Sequence, residues 1–168
     1  LLKGGKYGEA HKQVTLLLEK KPDLLLFQLL QAQIEAARKN HAMALSLYRD
    51  IYEQDKKSLS ASTYYAEELG QQGNYAEARK VLRRAVRTFP KNVRFYRMLA
   101  KAESEAGSKT ESHRATAEAY ALLGNYKSAI QQLNIARTFA GKDDFYVQAS
   151  ITARIKELEG LLALEKQK

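Results

Sequence analysis

The stretch Gly73-Asn74-Tyr75-Ala76-Glu77-Ala78 decides the fold, because versions of it recur along the chain at a fixed spacing. Close copies begin at Gly5 and Gly124, and a weaker copy begins at Lys39. Positions 5, 39, 73 and 107 are each 34 residues apart, and position 107 is again a glycine. A period of this length predicts a chain built from stacked supersecondary units.

Each copy makes physical sense as the turn between two helices. Glycine closes the first helix, because it tolerates the left-handed conformation of a C-terminal cap. Asparagine follows as a turn or capping residue, and the aromatic side chain fills the gap between the helices. Small residues at a 34-residue step let the two helices approach closely. They form two columns: Ala32, Ala66 and Ala100, and Ala10, Ala44 and Ala78.

The pattern predicts an all-α protein of about nine helices, near residues 6–20, 23–38, 41–55, 59–72, 75–89, 93–106, 110–123, 126–140 and 145–165. We expect one continuous array over 1–168. Gly107 and Gly124 lie only half a period apart, so the helix near 110–123 would serve two repeats. The expected units are a half repeat at 1–22, repeats at 23–56, 57–90, 91–123 and 110–142, and a C-terminal capping helix at 143–165.

The capping helix is predicted from an apolar stripe on one side of the last segment. An array end needs such a cover, because a terminal repeat otherwise exposes its apolar face. The stripe consists of Ile151, Ile155, Leu158 and Leu162.

These turns and small columns resemble the tetratricopeptide repeat. The resemblance implies a right-handed superhelical solenoid of antiparallel helix pairs that binds other proteins. The family's usual tryptophan in the first helix is absent, and Tyr96 is the nearest substitute.

The C-terminal third also resembles the tail of the BepA-type periplasmic zinc metallopeptidases. The matching stretches are 113–120, 124–126, 129–133, 144–146 and 153–158. This resemblance implies a periplasmic module that recruits unfolded outer-membrane proteins, or the barrel-assembly machinery, to a peptidase domain. Zinc would belong to that domain, since the family's His-Glu-x-x-His helix does not occur in this sequence. The absence of a methionine before Leu1-Leu2-Lys3 suggests a fragment of a longer protein.

We find no catalytic constellation in the sequence, and no cofactor is expected. Cysteine is absent, and neither a phosphate-binding glycine loop nor a strand-turn-helix serine motif occurs. His11, His41 and His113 are too far apart to share a helix face as metal ligands, and His41 stands at the aromatic position of its repeat. We interpret Glu67-Glu68 as an exposed helix edge and Asp143-Asp144 as a helix start.

The positive charge is concentrated in the middle of the chain. The formal net charge is +9, and nine basic residues but no acidic ones lie between Arg79 and Lys101. On the helix near 75–89 we expect a solvated outward face made of Arg79, Lys80, Arg83, Arg84 and Arg87. First helices line the groove of a tetratricopeptide array, where a bound segment usually lies. The predicted groove residues are Leu26, Leu29, Gln33, Tyr64, Glu67, Arg94, Arg97, Lys101 and Arg114.

Such a groove would take an extended or helical protein segment with acidic side chains. The residues do not match the carboxylate clamp of eukaryotic relatives. Three rivals remain: a stand-alone scaffold with no peptidase, binding of nucleic acid through the basic helix, and a homo-oligomer formed through an open array end. The basic run has few interleaved aromatic residues for base stacking, which disfavours nucleic acid.

Overall fold

The structure is a computed structural model that describes residues 6–141 and 144–165. Within them the chain forms nine α-helices and no strand, which confirms the predicted all-α fold. Helix boundaries lie within two residues of those predicted. The helices are α1 (Tyr7–Lys20), α2 (Leu25–Ala37), α3 (His41–Gln54), α4 (Leu59–Gln71), α5 (Tyr75–Thr88), α6 (Val93–Glu105), α7 (Lys109–Leu122), α8 (Tyr126–Phe139) and α9 (Phe145–Glu165).

The chain divides into two compact units, an N-terminal unit (Leu1–Asn74) and a C-terminal unit (Tyr75–Lys168). Within each unit every helix packs against its neighbours in sequence: α1 to α4 in the first, α5 to α9 in the second. The first residue of the repeat copy at Gly5, the start of the predicted half repeat and Asp143 lie outside the described residues. The assignment of α7 to two repeat units stays a prediction.

Four turns share one backbone geometry at the repeat's leading position. Lys39, Gly73, Gly107 and Gly124 have φ angles of 62°, 70°, 79° and 75°. In each turn the next residue's N–H bonds the carbonyl five positions earlier, the pattern that closes a helix with a left-handed residue. These bonds are Asn40 to Glu35 (2.9 Å), Asn74 to Leu69 (2.8 Å), Ser108 to Glu103 (2.8 Å) and Asn125 to Tyr120 (2.9 Å).

The small columns are buried, as the repeat predicts. In the N-terminal unit Ala32 and Ala44 are both 0% exposed, and no larger side chain would fit there without moving a helix. A cluster of apolar side chains packs α1 on α2, and aromatic contacts join α3 and α4 in two pairs, Tyr48 with Tyr64 and Tyr52 with Tyr65. The α1–α2 core comprises Ala10, Val14, Leu18, Phe27, Leu30 and Ile34.

In the C-terminal unit α9 packs as the predicted cap. Ile151, Ile155 and Leu158 are buried against α7 and α8, while Leu162 is half-buried. The helix starts as predicted at Asp144, whose Oδ1 accepts a hydrogen bond of 3.1 Å from the Val147 N–H. Burial of three branched aliphatic side chains contributes roughly 1.5–3 kcal/mol each. The remaining core residues of this cluster are Ala117, Ala129, Leu133 and Ala136.

Three buried carboxylates occupy equivalent helix junctions, where our sequence interpretation was wrong. Glu35, Glu68 and Glu103 are 4%, 2% and 1% exposed, so Glu68 does not form an exposed edge. Each receives a basic or imidazole side chain from the preceding helix, because a buried carboxylate needs such a partner. These contacts join His11 Nδ1 to Glu35 (3.0 Å), His41 Nδ1 to Glu68 (3.0 Å) and Arg83 Nη2 to Glu103 (2.7 Å).

The predicted solvated face of α5 is also corrected at two positions. Arg83 binds Glu103, and Arg79 lies 3.5 Å from the same carboxylate while donating to Ser108 Oγ (3.2 Å). These two arginines therefore join α5 to α6. Arg84 and Arg87 are exposed, as expected of a solvated face.

Candidate protein-binding surface

Helix α6 presents three basic side chains on one face. Arg94, Arg97 and Lys101 are all exposed, and their spacings of three and four residues put them on the same side of the helix. Phe95 and Leu99, on the opposite side, are buried at 0% and 8% exposure. This division holds the basic face toward solvent. We call Arg94, Arg97 and Lys101 the α6 basic face.

The start of α6 is set by a capped turn. Asn92 Oδ1 accepts a hydrogen bond of 3.3 Å from the Phe95 N–H, the usual role of an asparagine N-cap. Phe89 and Phe95 pack with ring centroids 5.7 Å apart, which joins the end of α5 to the start of α6. The register of the α6 basic face is therefore determined by local contacts.

A cleft of about 210 Å³ opens beside Arg97, between α6 and α7. We call it the α6–α7 cleft. Ala100 and Ala119 are its buried walls, and Ser112 Oγ ties the two helices together by donating to the Ala100 carbonyl (2.8 Å). Most of the surrounding side chains are apolar or small. The cleft is lined by Arg97, Ala100, Thr116, Ala119, Tyr120 and Leu123.

Arg114 lies in a different cleft from Arg97. Its guanidinium donates to Glu111 Oε1 (2.8 Å) and Ser150 Oγ (3.2 Å), which joins α7 to α9. This second cleft measures about 250 Å³ and also contains Glu118 and Arg154. Arg114 is therefore engaged by protein groups, where the sequence predicted a member of one basic stretch with Arg94, Arg97 and Lys101.

The second cleft is held by a strong ion pair. Arg154 donates through Nε to Glu118 Oε1 (2.9 Å) and through Nη2 to Oε2 (2.7 Å), a bidentate geometry. The hydrogen bonds that Arg154 donates to Glu118 raise the pKa of Arg154 above its already high ordinary value. Burial raises the pKa of Tyr96, and the Glu118 carboxylate adds to this effect. This cleft is thus lined by paired charges that hold α9 on α7.

The remaining predicted site residues belong to the N-terminal unit. On α2, Leu26 is 66% exposed and Gln33 is half-buried, whereas Leu29 is 6% exposed and part of the core. On α4, Tyr64 and Glu67 are half-buried.

The ring of Tyr64 stacks on Tyr48 with centroids 5.9 Å apart. Burial raises the pKa of the Tyr48 phenol well above its ordinary value, and Glu68 contributes to the shift.

The three histidines contact protein side chains on neighbouring helices. His113 Nδ1 lies 2.7 Å from Gln132 Oε1, and its ring stacks on Phe139 with centroids 5.6 Å apart. Among residues 6–141 and 144–165, no group of three or more His, Asp or Glu side chains is placed to hold a metal ion. In the same ranges, no helix is both long and apolar enough to cross a membrane.

Sequence reasoning missed four lining residues of the α6–α7 cleft: Thr116, Ala119, Tyr120 and Leu123. They lie on or directly after α7, which we treated mainly as a packing helix. One signal was present. Thr116 stands 34 residues after Leu82 and 68 after Tyr48, so a small residue replaces large ones at a fixed repeat position.

Comparisons with known proteins identify the repeats. One tetratricopeptide-repeat family model matches residues 1–58, and a second matches residues 59–102. No curated protein matches the sequence of this chain.

Several solved structures share the fold. MamA 41-end from Desulfovibrio magneticus RS-1 matches 94% of this chain and 88% of its own, with a TM-score of 0.66 and 20% identity. Another structure of MamA matches 99% of this chain and 94% of its own, with a TM-score of 0.66 and 13% identity. A thermophilic tetratricopeptide-repeat protein in Thermus thermophilus matches 92% and 91%, with a TM-score of 0.52 and 18% identity. At these identities the likeness concerns the fold alone.

Proposed function

We propose that this chain, which is built from tetratricopeptide repeats, is a scaffold whose α6 basic face binds an acidic segment of another protein. The observation that carries this proposal is the alignment of Arg94, Arg97 and Lys101 on one solvent-facing side of a helix, directly beside an apolar cleft. A surface with both features offers charge recognition and apolar burial to the same ligand.

The charges and the cleft would contribute differently. Arginine binds a carboxylate through two parallel hydrogen bonds, which gives orientation as well as attraction. Exposed charges mainly accelerate association and select among partners, and salt weakens them. Apolar contacts would therefore supply most of the affinity, and the α6 basic face would supply the preference for acidic segments.

Charge reversal tests this function. We expect Arg97→Glu combined with Lys101→Glu to weaken binding of a fluorescein-labelled peptide of glutamate, alanine and leucine by roughly tenfold or more, about 1.4 kcal/mol. Fluorescence anisotropy measures the affinity, and far-ultraviolet circular dichroism checks the helix content. The peptide should bind more weakly to the wild type as the salt concentration rises.

The matched control reverses two exposed arginines on α5. Arg84→Glu combined with Arg87→Glu changes the net charge by the same amount without touching α6. If both pairs reduce binding equally, the effect is one of overall charge and the α6 basic face is not the site. If the α6 pair binds as well as the wild type, the proposal is wrong.

A narrower proposal concerns the protein in which the scaffold works. The resemblance to the tail of BepA-type metallopeptidases supports a periplasmic module that presents outer-membrane proteins to a zinc peptidase. It is carried by residues 113–120, 124–126, 129–133, 144–146 and 153–158. The comparisons match only the repeats, so they support a scaffold without a peptidase better. A complete gene that lacks a signal peptide and a His-Glu-x-x-His helix would contradict the narrower proposal.

A further inference from the structure

One lining residue of the α6–α7 cleft is smaller than the residues at the same position of the earlier repeats. Positions 48, 82 and 116 are equivalent, since each lies 34 residues after the last. Tyr48 and Leu82 are large and buried, at 4% and 1% exposure, whereas position 116 holds a half-buried threonine. Thr116 lines the α6–α7 cleft, so a short side chain stands there at a repeat position that holds larger residues in the earlier units.

The size and lining of this space define what it could hold. Its volume of about 210 Å³ exceeds the roughly 150 Å³ of an apolar cavity that holds benzene. Ala100 and Ala119 form buried walls, and Leu123, 55% exposed, stands at the rim. The Thr116 hydroxyl donates to the Ser112 carbonyl (2.9 Å), so its hydrogen-bonding capacity is used within α7. An apolar side chain of leucine to phenylalanine size fits this description.

The charge beside the cleft indicates which residues flank this apolar side chain in the ligand. Arg97 is the one charged lining residue among those described, and Lys101 follows it one helical turn later on the same exposed face. A segment whose apolar side chain enters the cleft would hold its adjacent residues near these two cations. Carboxylates are the complementary groups.

We infer that the α6–α7 cleft is a selectivity pocket for one leucine- to phenylalanine-sized side chain, on a protein segment whose neighbouring residues carry carboxylates bound by Arg97 and Lys101. The inference rests on the proposed function and deepens it. The ligand side chain occupies the cleft, so partner binding adds to the packing between α6 and α7. Selectivity comes from this burial, because a truncated side chain leaves the pocket unfilled.

The test fills the pocket with a larger apolar side chain of the protein itself. Thr116→Leu introduces the residue that stands at position 82 and should leave the unfolding temperature equal to or above that of the wild type, since it fills a cleft. Thr138→Leu, on an exposed position of α8, controls for the added apolar surface. The probes are fluorescein-labelled glutamate-alanine peptides whose central residue is alanine, leucine or phenylalanine, and anisotropy gives each affinity.

We expect the wild type and Thr138→Leu to bind the leucine and phenylalanine peptides about tenfold more tightly than the alanine peptide. Thr116→Leu should bind all three with the affinity of the alanine peptide for the wild type. If Thr116→Leu keeps the tenfold preference for the leucine and phenylalanine peptides, the inference about the pocket is wrong and the proposed function stands. The same holds if the wild type binds all three acidic peptides equally. If the wild type binds none of the peptides, both the proposed function and the pocket are wrong.

Discussion

Lys39 adopts the backbone conformation that glycine adopts at the three equivalent turns. Its φ of 62° lies in the left-handed region, where a side chain crowds the following carbonyl at a cost of about 1–2 kcal/mol. At Gly107 and Gly124 no atom outside the glycine and its two chain neighbours lies within 4 Å of a would-be Cβ, so a side chain there would be disfavoured by the backbone conformation alone. The helices on either side thus hold Lys39 in a backbone conformation that lysine disfavours.

Replacement of this lysine should therefore stabilise the protein. We expect Lys39→Gly to raise the free energy of unfolding by about 0.5–1 kcal/mol, because relief of the left-handed strain exceeds the greater chain entropy of glycine. Urea denaturation measures the change. Lys21→Gly is the control, since Lys21 has a φ of −144° and should gain nothing. Stabilisation by both substitutions, or by neither, would contradict this account of the turn.

The junction between α5 and α6 depends on a carboxylate rather than on apolar contact alone. Glu103 is 1% exposed, accepts hydrogen bonds from Arg83 (2.8 and 2.7 Å) and lies 3.5 Å from Arg79. The same junction role falls to Glu35 and Glu68 in the N-terminal unit, although their partners there include histidines. A buried acid on one helix thus orients the helix before it.

Neutralisation of this acid should loosen the junction. We expect Glu103→Gln to lower the free energy of unfolding by about 1–3 kcal/mol, because the amide is a weaker acceptor and leaves the arginines poorly paired. Chemical denaturation measures the loss. Glu77→Gln breaks an exposed pair with Lys80 (2.9 Å) and should cost less than about 0.5 kcal/mol. Equal costs for the two variants would show that burial of Glu103 adds nothing.

At the scale of the whole molecule, stability is built from contacts between successive helices. Each helix packs against its sequence neighbours within its unit, so stacked repeats behave as a chain of local interfaces. The core around Leu133 joins α7, α8 and α9 and is the apolar cluster of the C-terminal end. The free energy of local unfolding should therefore differ from helix to helix along the chain.

Hydrogen exchange can test this organisation. We expect Leu133→Ala, at a side chain 2% exposed, to cost about 2–5 kcal/mol in the C-terminal unit. Amide protection should fall most in α7, α8 and α9 and least in α2 and α3, because the loss decays over successive interfaces. Ile135→Ala, at a position 38% exposed on the same helix, is the control and should change little. A uniform loss of protection over all helices would contradict the local picture.

The helices, the turns and the small columns were predictable from residue order alone, because they depend on neighbours within the repeat. Examples are the left-handed cap at Gly73 or Gly107, an alanine where two helices meet, and the apolar stripe on α9. Which polar side chains are buried was not predictable in this way. Glu68, Glu103 and Arg114 find their partners on other helices, and desolvation acts on a carboxylate only once those helices enclose it. The α6–α7 cleft has the same origin. The repeat pattern marks Thr116 as a small residue, but Thr116 lines a cleft only because α6 packs on α7, and that packing is a property of the tertiary structure.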